Sequence, residues 1–127
     1  QIGKTTKVSS SGNYKISIPK QSAGKKIVVK MSKSGYKTKS ISTTVLKVFK
    51  TFTVNSVKST SKSISGKGLK GATVKAYVNG KQIGKTTKVS SSGNYKISIS
   101  KQKKGKKITV KMSKSGYLTT EKSVVVK

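Results

Sequence analysis

The sequence predicts an all-β chain built from antiparallel β-sandwich modules. Three observations carry that expectation. Apolar residues recur in short alternating runs, such as Val74, Ala76 and Val78 in "ATVKAYV" or Tyr95, Ile97 and Ile99 in "YKISI", the two-residue period of a half-buried strand. Gly, Asn and Ser punctuate these runs, and no segment shows a helical period. Finally, "QIGKTTKVSSSGNYKISI" occurs twice, at Gln1–Ile18 and at Gln82–Ile99.

The repeat sets the domain organisation. "PKQSAGKKIVVKMSKSGYKT" (Pro19–Thr38) aligns with "SKQKKGKKITVKMSKSGYLT" (Ser100–Thr119) with five changes, no gap and a constant offset of 81 residues. A period this long indicates tandem modules rather than a short-repeat solenoid. Residues 47–127 make one full period, expected to be a complete module. Residues 1–46 match only its back half, and are expected to be the C-terminal part of a module cut midway. Residues 3–38 and 84–119 should then share one backbone.

Within the full module each element follows from its residues. "FTVNSV" (Phe52–Val57) reads as a strand of mixed phase, and "SKSISGKG" as a short strand around Ile64 ended by glycines. In "ATVKAYV" one face carries Val74, Ala76 and Val78 and the other Thr73, Lys75 and Tyr77. Asn79-Gly80 follows. Asn-Gly between alternating runs is the strongest short hairpin signal, because both central positions of a type I′ turn need positive φ. A strand from about Lys81 to Val89 comes next, then the turn "SSSGN". Tyr95, Ile97 and Ile99 should face inward. "KQKKGKK" is a basic loop, and "ITVKM" turns Ile108, Val110 and Met112 inward. After "SKSGY" the last strand, about Thr119 to Val126, places Val124 and Val126 together. Seven short strands in about eighty residues point to an antiparallel sandwich.

Composition narrows the function classes. There are 30 lysines, no arginine, one acid (Glu121), no histidine and no cysteine, for a formal charge of +29. Only 31% of residues are hydrophobic. Low hydrophobicity with high net charge is nominally a signature of disorder. The alternation overrules it, since strands with one wet lysine face need few apolar residues. No apolar run approaches a membrane span. Acid–base catalysis commonly uses histidine or paired carboxylates, and metal sites need His, Cys or carboxylate clusters. The sequence offers neither, so no enzyme and no cofactor is expected. Ser-Lys neighbours are too frequent to single out a dyad.

At this point the residues resemble a known family. "VNSVKSTSKSISGKGLKGATVKAYVNGKQIGKTTKVSSSGNYKISISKQKKGKKITVKMSKSGY" is similar to a bacterial immunoglobulin-like domain, a tandem module of Gram-positive secreted and surface proteins. The resemblance covers residues 52–126 and, in part, 1–46. It implies an Ig-like sandwich used as a stalk, a spacer or a wall- or ligand-binding appendage. Two departures matter. Relatives often carry Asp where Ser90, Ser91 and Ser92 stand here, so calcium binding is not carried over. Relatives are also often acidic, whereas this chain is strongly basic. A Lys–Asn isopeptide of the adhesin type would need a buried acid near Asn13, Asn55, Asn79 or Asn94, and Glu121 is the only acid.

Lysine is then the main functional signal. The densest cluster is Lys101, Lys103, Lys104, Lys106 and Lys107. The first copy keeps Lys20, Lys25 and Lys26, with Ser22-Ala23 in place of Lys103-Lys104. Lysine is a compact point charge, whereas arginine is the planar fork suited to reading bases and phosphates. Thirty lysines without arginine therefore predict non-specific attraction to a repeating polyanion. Teichoic acid, anionic exopolysaccharide, poly-glutamate or extracellular DNA would fit, and sequence-specific DNA reading would not. Tyr14 and Tyr95 are expected in the core, and Tyr36 and Tyr117 as caps on the sandwich end. The expected role is a non-catalytic stalk or anchoring region, extracellular or in a Gram-positive-type cell wall. The alternatives are a spacer or filament subunit with incidental charge, or the appendage of a secreted enzyme. Self-association through the incomplete first module is a further expectation, because its apolar face and strand edge would be left open.

Overall fold

The alternating runs become strands. A computed structural model describes residues 1–127 and contains eight strands and no helix. The chain separates into two compact units, Gln1–Leu46 and Lys47–Lys127. The first holds β1 (Lys26–Met31) and β2 (Lys39–Thr44). The second holds β3 (Ser63–Lys67), β4 (Thr73–Val78), β5 (Lys81–Lys88), β6 (Asn94–Ser98), β7 (Lys107–Ser113) and β8 (Thr120–Val125).

In the second unit two antiparallel sheets face each other. One pairs β3 with β6, and the other has the order β5-β4-β7-β8. Ile64, Tyr95 and Ile97 come from the first sheet, and Val74, Ala76, Ile108, Val110 and Met112 from the second. All are buried, as are Phe52, Val57 and Val126, and no polar side chain is buried with them. This is the antiparallel sandwich expected from the sequence. The Asn79-Gly80 turn joins β4 to β5 with φ of 49° and 76°.

The strand expected at Phe52–Val57 is not a regular one. Thr53 N–H donates to the Lys67 carbonyl at 2.9 Å and Asn55 N–H to that of Ser65 at 2.8 Å. The return bond is missing, because Lys67 N–H donates to the Thr53 hydroxyl at 2.8 Å and the Tyr95 hydroxyl donates to the Thr53 carbonyl at 2.7 Å. Beyond Val57 the segment changes sheets. Lys127 N–H donates to the Val57 carbonyl at 2.9 Å, and Ser59 N–H to that of Lys127 at 2.8 Å. This change of sheet is the physical content of the mixed phase, since Phe52 and Val57 have opposite parity and both are buried.

Two glycines make the close approaches possible. A Cβ at Gly66 would collide with the Thr53 carbonyl oxygen, and one at Gly84 would collide with that of Ser98. Gly84 has φ of 70° and sits in a bulge of β5, where pairing with β4 jumps from Val74–Thr87 to Ala76–Ile83. The bulge bends β5 away from β4 and toward β6.

The first unit repeats the second bond for bond where its own residues suffice. β1 pairs β2 from Lys26–Thr44 to Met31–Lys39, the register of β7 with β8 shifted by the repeat. The Ser9–Asn13 turn copies Ser90–Asn94, with Ser9 N–H on the Asn13 carbonyl and Ser90 N–H on that of Asn94, both at 2.8 Å. Gly3 mirrors Gly84, with φ of 77°.

What does not repeat is the ladder. Residues 14–18 form no strand, although their letters are those of 95–99. A strand needs a neighbour to accept its N–H groups, and nothing in this unit stands where β3 stands in the other. No residue of Gln1–Leu46 is buried. The inward Tyr14 expected from the pattern is 46% exposed instead, whereas Tyr95 is 3% exposed.

Tyr95→Phe removes the bond to Thr53 and is expected to cost about 1 kcal/mol. Tyr14→Phe, with the same neighbours in sequence, should stay within about 0.5 kcal/mol. Urea unfolding of both variants checks it, and equal losses would contradict the assigned environments. Burial also pushes the Tyr95 phenol from 10.0 up to about 12. The unfolded chain therefore gives up that proton at lower pH than the folded one. The Tyr95 contribution is complete below pH 10 and is lost as pH rises from 10 to about 12. The stability advantage of wild type over Tyr95→Phe should shrink across that window, and an unchanged difference would show that the phenol is not desolvated.

Candidate polyanion-binding surface

The five clustered lysines all lie at one end of the second unit. Lys101, Lys103, Lys104 and Lys106 occupy the loop between β6 and β7, and Lys107 opens β7. The loop is held in shape by its backbone. Lys106 N–H donates to the Lys103 carbonyl at 3.2 Å around Gly105, whose φ is 85°. Gly105 N–H donates to the Val126 carbonyl at 2.8 Å, and Val126 N–H to that of Lys106 at 2.9 Å. The side chains are exposed while their backbone is strapped to the end of β8. The counterpart loop of the first unit has the same strap, with Gly24 N–H on the Val45 carbonyl at 2.8 Å and Val45 N–H on that of Lys25 at 2.9 Å. Lys20, Lys25 and Lys26 are exposed there. They form a separate, sparser cluster in their own unit.

Charge is almost uncompensated. The only ion pair is Lys111–Glu121 at 3.4 Å, with both side chains about half exposed or more. Such a pair contributes little to stability. Glu121 is also too exposed to be the buried acid of an isopeptide bond. Asn55 donates to the Ser65 hydroxyl at 3.0 Å, Asn94 donates to that of Ser92 at 3.2 Å, and Asn79 makes the hairpin turn.

A second basic feature is visible only in three dimensions. An open cleft of about 730 Å³ lies on the outer face of the β3–β6 sheet, where it meets the end of β5. Antiparallel register puts Ser65 opposite Lys96 and Lys67 opposite Asn94. The Thr87 hydroxyl donates to the Lys96 carbonyl at 3.4 Å, which brings Lys88 alongside. Lys67, Lys88 and Lys96 therefore line one cleft together with Thr53, Asn55 and Ser65. Three ammonium groups among hydroxyl and amide donors suit an anionic, hydroxylated chain. Sequence reasoning missed this cleft because it depends on pairing register. The outward phase of "SISGK" and "NYKIS" was the available signal.

The aromatic residues divide. Tyr117 caps the sandwich end as expected, stacked on Phe49 with ring centroids 4.8 Å apart. Lys47 Nζ lies 5.8 Å from the same ring. Lys47 also donates its N–H to the Gly116 carbonyl at 2.9 Å and accepts from Leu118 at 2.8 Å. Tyr36 does not cap anything. It is 70% exposed, with Lys33 Nζ 5.3 Å from its ring, since its unit has no residue in the place of Phe49.

The profile described as "Bacterial Ig domain" matches residues 50–127. The chain belongs to the bacterial Ig domain family. Solved structures similar to it include the following two. One, described as "Structure of Protease", has a TM-score of 0.53 and 25% identity, covering 64% of this chain and 18% of that one. The other, described as "Biofilm associated protein - BSP domain", has a TM-score of 0.52 and 20% identity, covering 98% of this chain and 22% of that one. This bacterial Ig domain chain thus spans about a fifth of the length of each of these two structures. No curated protein matches it.

The Tyr117 clamp is testable in this bacterial Ig domain. Tyr117→Ala removes the stack under Phe49, so the Lys47–Lys50 segment should open more often, and exposed backbone is where proteases cut. Trypsin cleavage after Lys47 and Lys50 is expected to speed up severalfold under native conditions. Cleavage at the wild-type rate would mean the backbone bonds alone hold the segment.

Proposed function

We propose that this bacterial Ig domain chain is a non-catalytic stalk or anchoring region of a secreted or wall-associated protein. It holds the anionic polymers of a Gram-positive-type envelope, of the teichoic acid kind, by diffuse lysine electrostatics. The observation that carries the reading is the uncompensated charge, thirty lysines against a single acid whose one ion pair is exposed. Self-repulsion at such a charge destabilises a compact domain, and a polyanion relieves it. The strapped loop at Lys101–Lys107 and the cleft of Lys67, Lys88 and Lys96 are the surfaces where the polymer gathers most contacts. Similarity of fold to a biofilm-associated domain supports a place on the cell surface.

A second reading, the appendage of a secreted enzyme, is favoured by the likeness to a structure described as a protease. It is compatible with the first, since an anchoring module would hold such an enzyme at the wall.

Binding to purified teichoic acid as a function of salt tests the proposal. Point-charge contacts release counterions, so log affinity should fall linearly with log salt. Lys103→Ser with Lys104→Ala, which recreates the first copy's loop, should lower the slope by about one for each phosphate no longer neutralised. Changing Lys67, Lys88 and Lys96 to Gln should lower it further. Affinity that is flat with salt would reject diffuse electrostatics, and no binding at low salt would leave the spacer role.

A further inference from the structure

One phase of the β5-β4-β7-β8 sheet builds the core, so the other phase makes a wet outer face. Strand register lays that face out in rows. One row runs Gln82, Tyr77, Thr109 and Ser123 across the four strands. The next runs Lys75, Lys111 and Glu121 across β4, β7 and β8. Tyr77 stands apart on such a face. The other aromatic side chains of the second unit are Phe49, Phe52, Tyr95 and Tyr117, and each packs in the core or in the cap. Tyr77 does neither. It is half-buried among polar neighbours, and Tyr95 is the one tyrosine whose hydroxyl bonds to the protein.

The groups around the Tyr77 ring have bonding capacity to spare. Gln82 Nε2 donates to the Gly84 carbonyl at 3.2 Å and to the Thr86 hydroxyl at 3.4 Å, which leaves the amide oxygen as an acceptor. The Thr109 and Ser123 hydroxyls bond each other at 3.0 Å, so the pair keeps one proton to donate and lone pairs to accept. In the neighbouring row Lys111 Nζ lies 5.4 Å from the Tyr77 ring centroid and 3.4 Å from the Glu121 carboxylate. Lys75 stands directly opposite Lys111, and like charges in that position repel. One carboxylate serves two ammonium groups, so the row is positive beside the ring.

We propose that this face binds an acidic saccharide, a chain of pyranose rings that bear carboxylates. A pyranose has a C–H face that packs on a flat aromatic ring, and a rim of hydroxyls that needs donors and acceptors close by. Tyr77 supplies the ring, and Gln82, Thr109 and Ser123 supply the rim contacts. A carboxylate on the stacked sugar or its neighbour meets Lys75 and Lys111 and relieves their repulsion. Strands lie about 4.8 Å apart, so the row from Tyr77 to Ser123 extends about 10 Å and is longer than one sugar ring. The diffuse binding proposed above counts charges, whereas this face reads a ring, and neither depends on the other.

The test is an NMR titration of the 127-residue chain with the trimer of galacturonic acid. The trimer of galactose is the neutral probe, and tripolyphosphate is the charged probe without a ring. Galacturonate is expected to shift resonances of Tyr77, Thr109 and Ser123, and saturation of the tyrosine rings should pass to its C–H protons. Tyr77→Ala should weaken galacturonate binding by about tenfold and leave tripolyphosphate unchanged, while Tyr77→Phe keeps most of the affinity. Lys75→Gln should weaken the acidic trimer and spare the neutral one. No saturation transfer in the wild-type chain would overturn the proposal without recourse to any variant. An equal loss of tripolyphosphate in Tyr77→Ala would overturn it too, since the ring would then only position Lys111. Galactose bound as tightly as galacturonate would remove the role of the lysines, and shifts confined to Lys101–Lys107 would assign binding to charge alone; either result rejects the site. A salt-independent affinity for teichoic acid would reject the diffuse reading and leave these outcomes as they are.

Discussion

The antiparallel pairing of β3 with β6 is the contact on which the rest of this protein depends. It sets Ile64 beside Ile97 and lets the Tyr95 hydroxyl reach the Thr53 carbonyl across Gly66. That closes one side of the core, and the β5-β4-β7-β8 sheet closes the other. A strand is unlike a helix in this respect, because its hydrogen bonds are made to other segments. Residues 14–18 show the consequence. They have the letters of β6 and the same preceding turn, but without a β3 they have no ladder and bury nothing.

Charge works against this framework throughout. Apolar residues are few, and the core is drawn from residues 52–126 alone. Strand faces that do not meet the core carry lysine, threonine and serine, and the one carboxylate neutralises little because its pair is solvent-exposed. The module is therefore small, weakly apolar and self-repelling, and its stability is expected to be modest. The anionic polymer of the proposed function would supply the counter-charge that these residues lack. The backbone strap of the basic loop does not depend on that surplus, since the sparser loop of the first unit has the same one. Gly105 and Lys106 exchange backbone bonds with Val126, so the loop that carries the lysines keeps one shape.

Much of the fold was legible in the residues. The Asn79-Gly80 turn, the inward phase of Ile108, Val110 and Met112, and the burial of Tyr95, Ile97 and Ile99 follow from alternation and turn chemistry. The bacterial Ig fold was legible too, through the resemblance of residues 52–126 to that family. Of the candidate surface, the loop lysines were legible because they are nearly consecutive. The cleft of Lys67, Lys88 and Lys96 was not, because those residues are distant in sequence and meet only through strand register and the β5 bulge.

By itself the sequence determined what is local: where turns fall, which face of each strand is apolar, and the hairpin registers that short loops impose. It carried these even into the first unit, whose β1–β2 pairing and Ser9–Asn13 turn copy the second. Tertiary structure decided which apolar faces are dry. Tyr14 and Tyr95 are the same residue in the same eighteen-residue context, and one is wet and the other buried. The physical reason is that burial and strand ladders are properties of pairs of segments, and the segment that pairs with one of these tyrosines does not pair with the other.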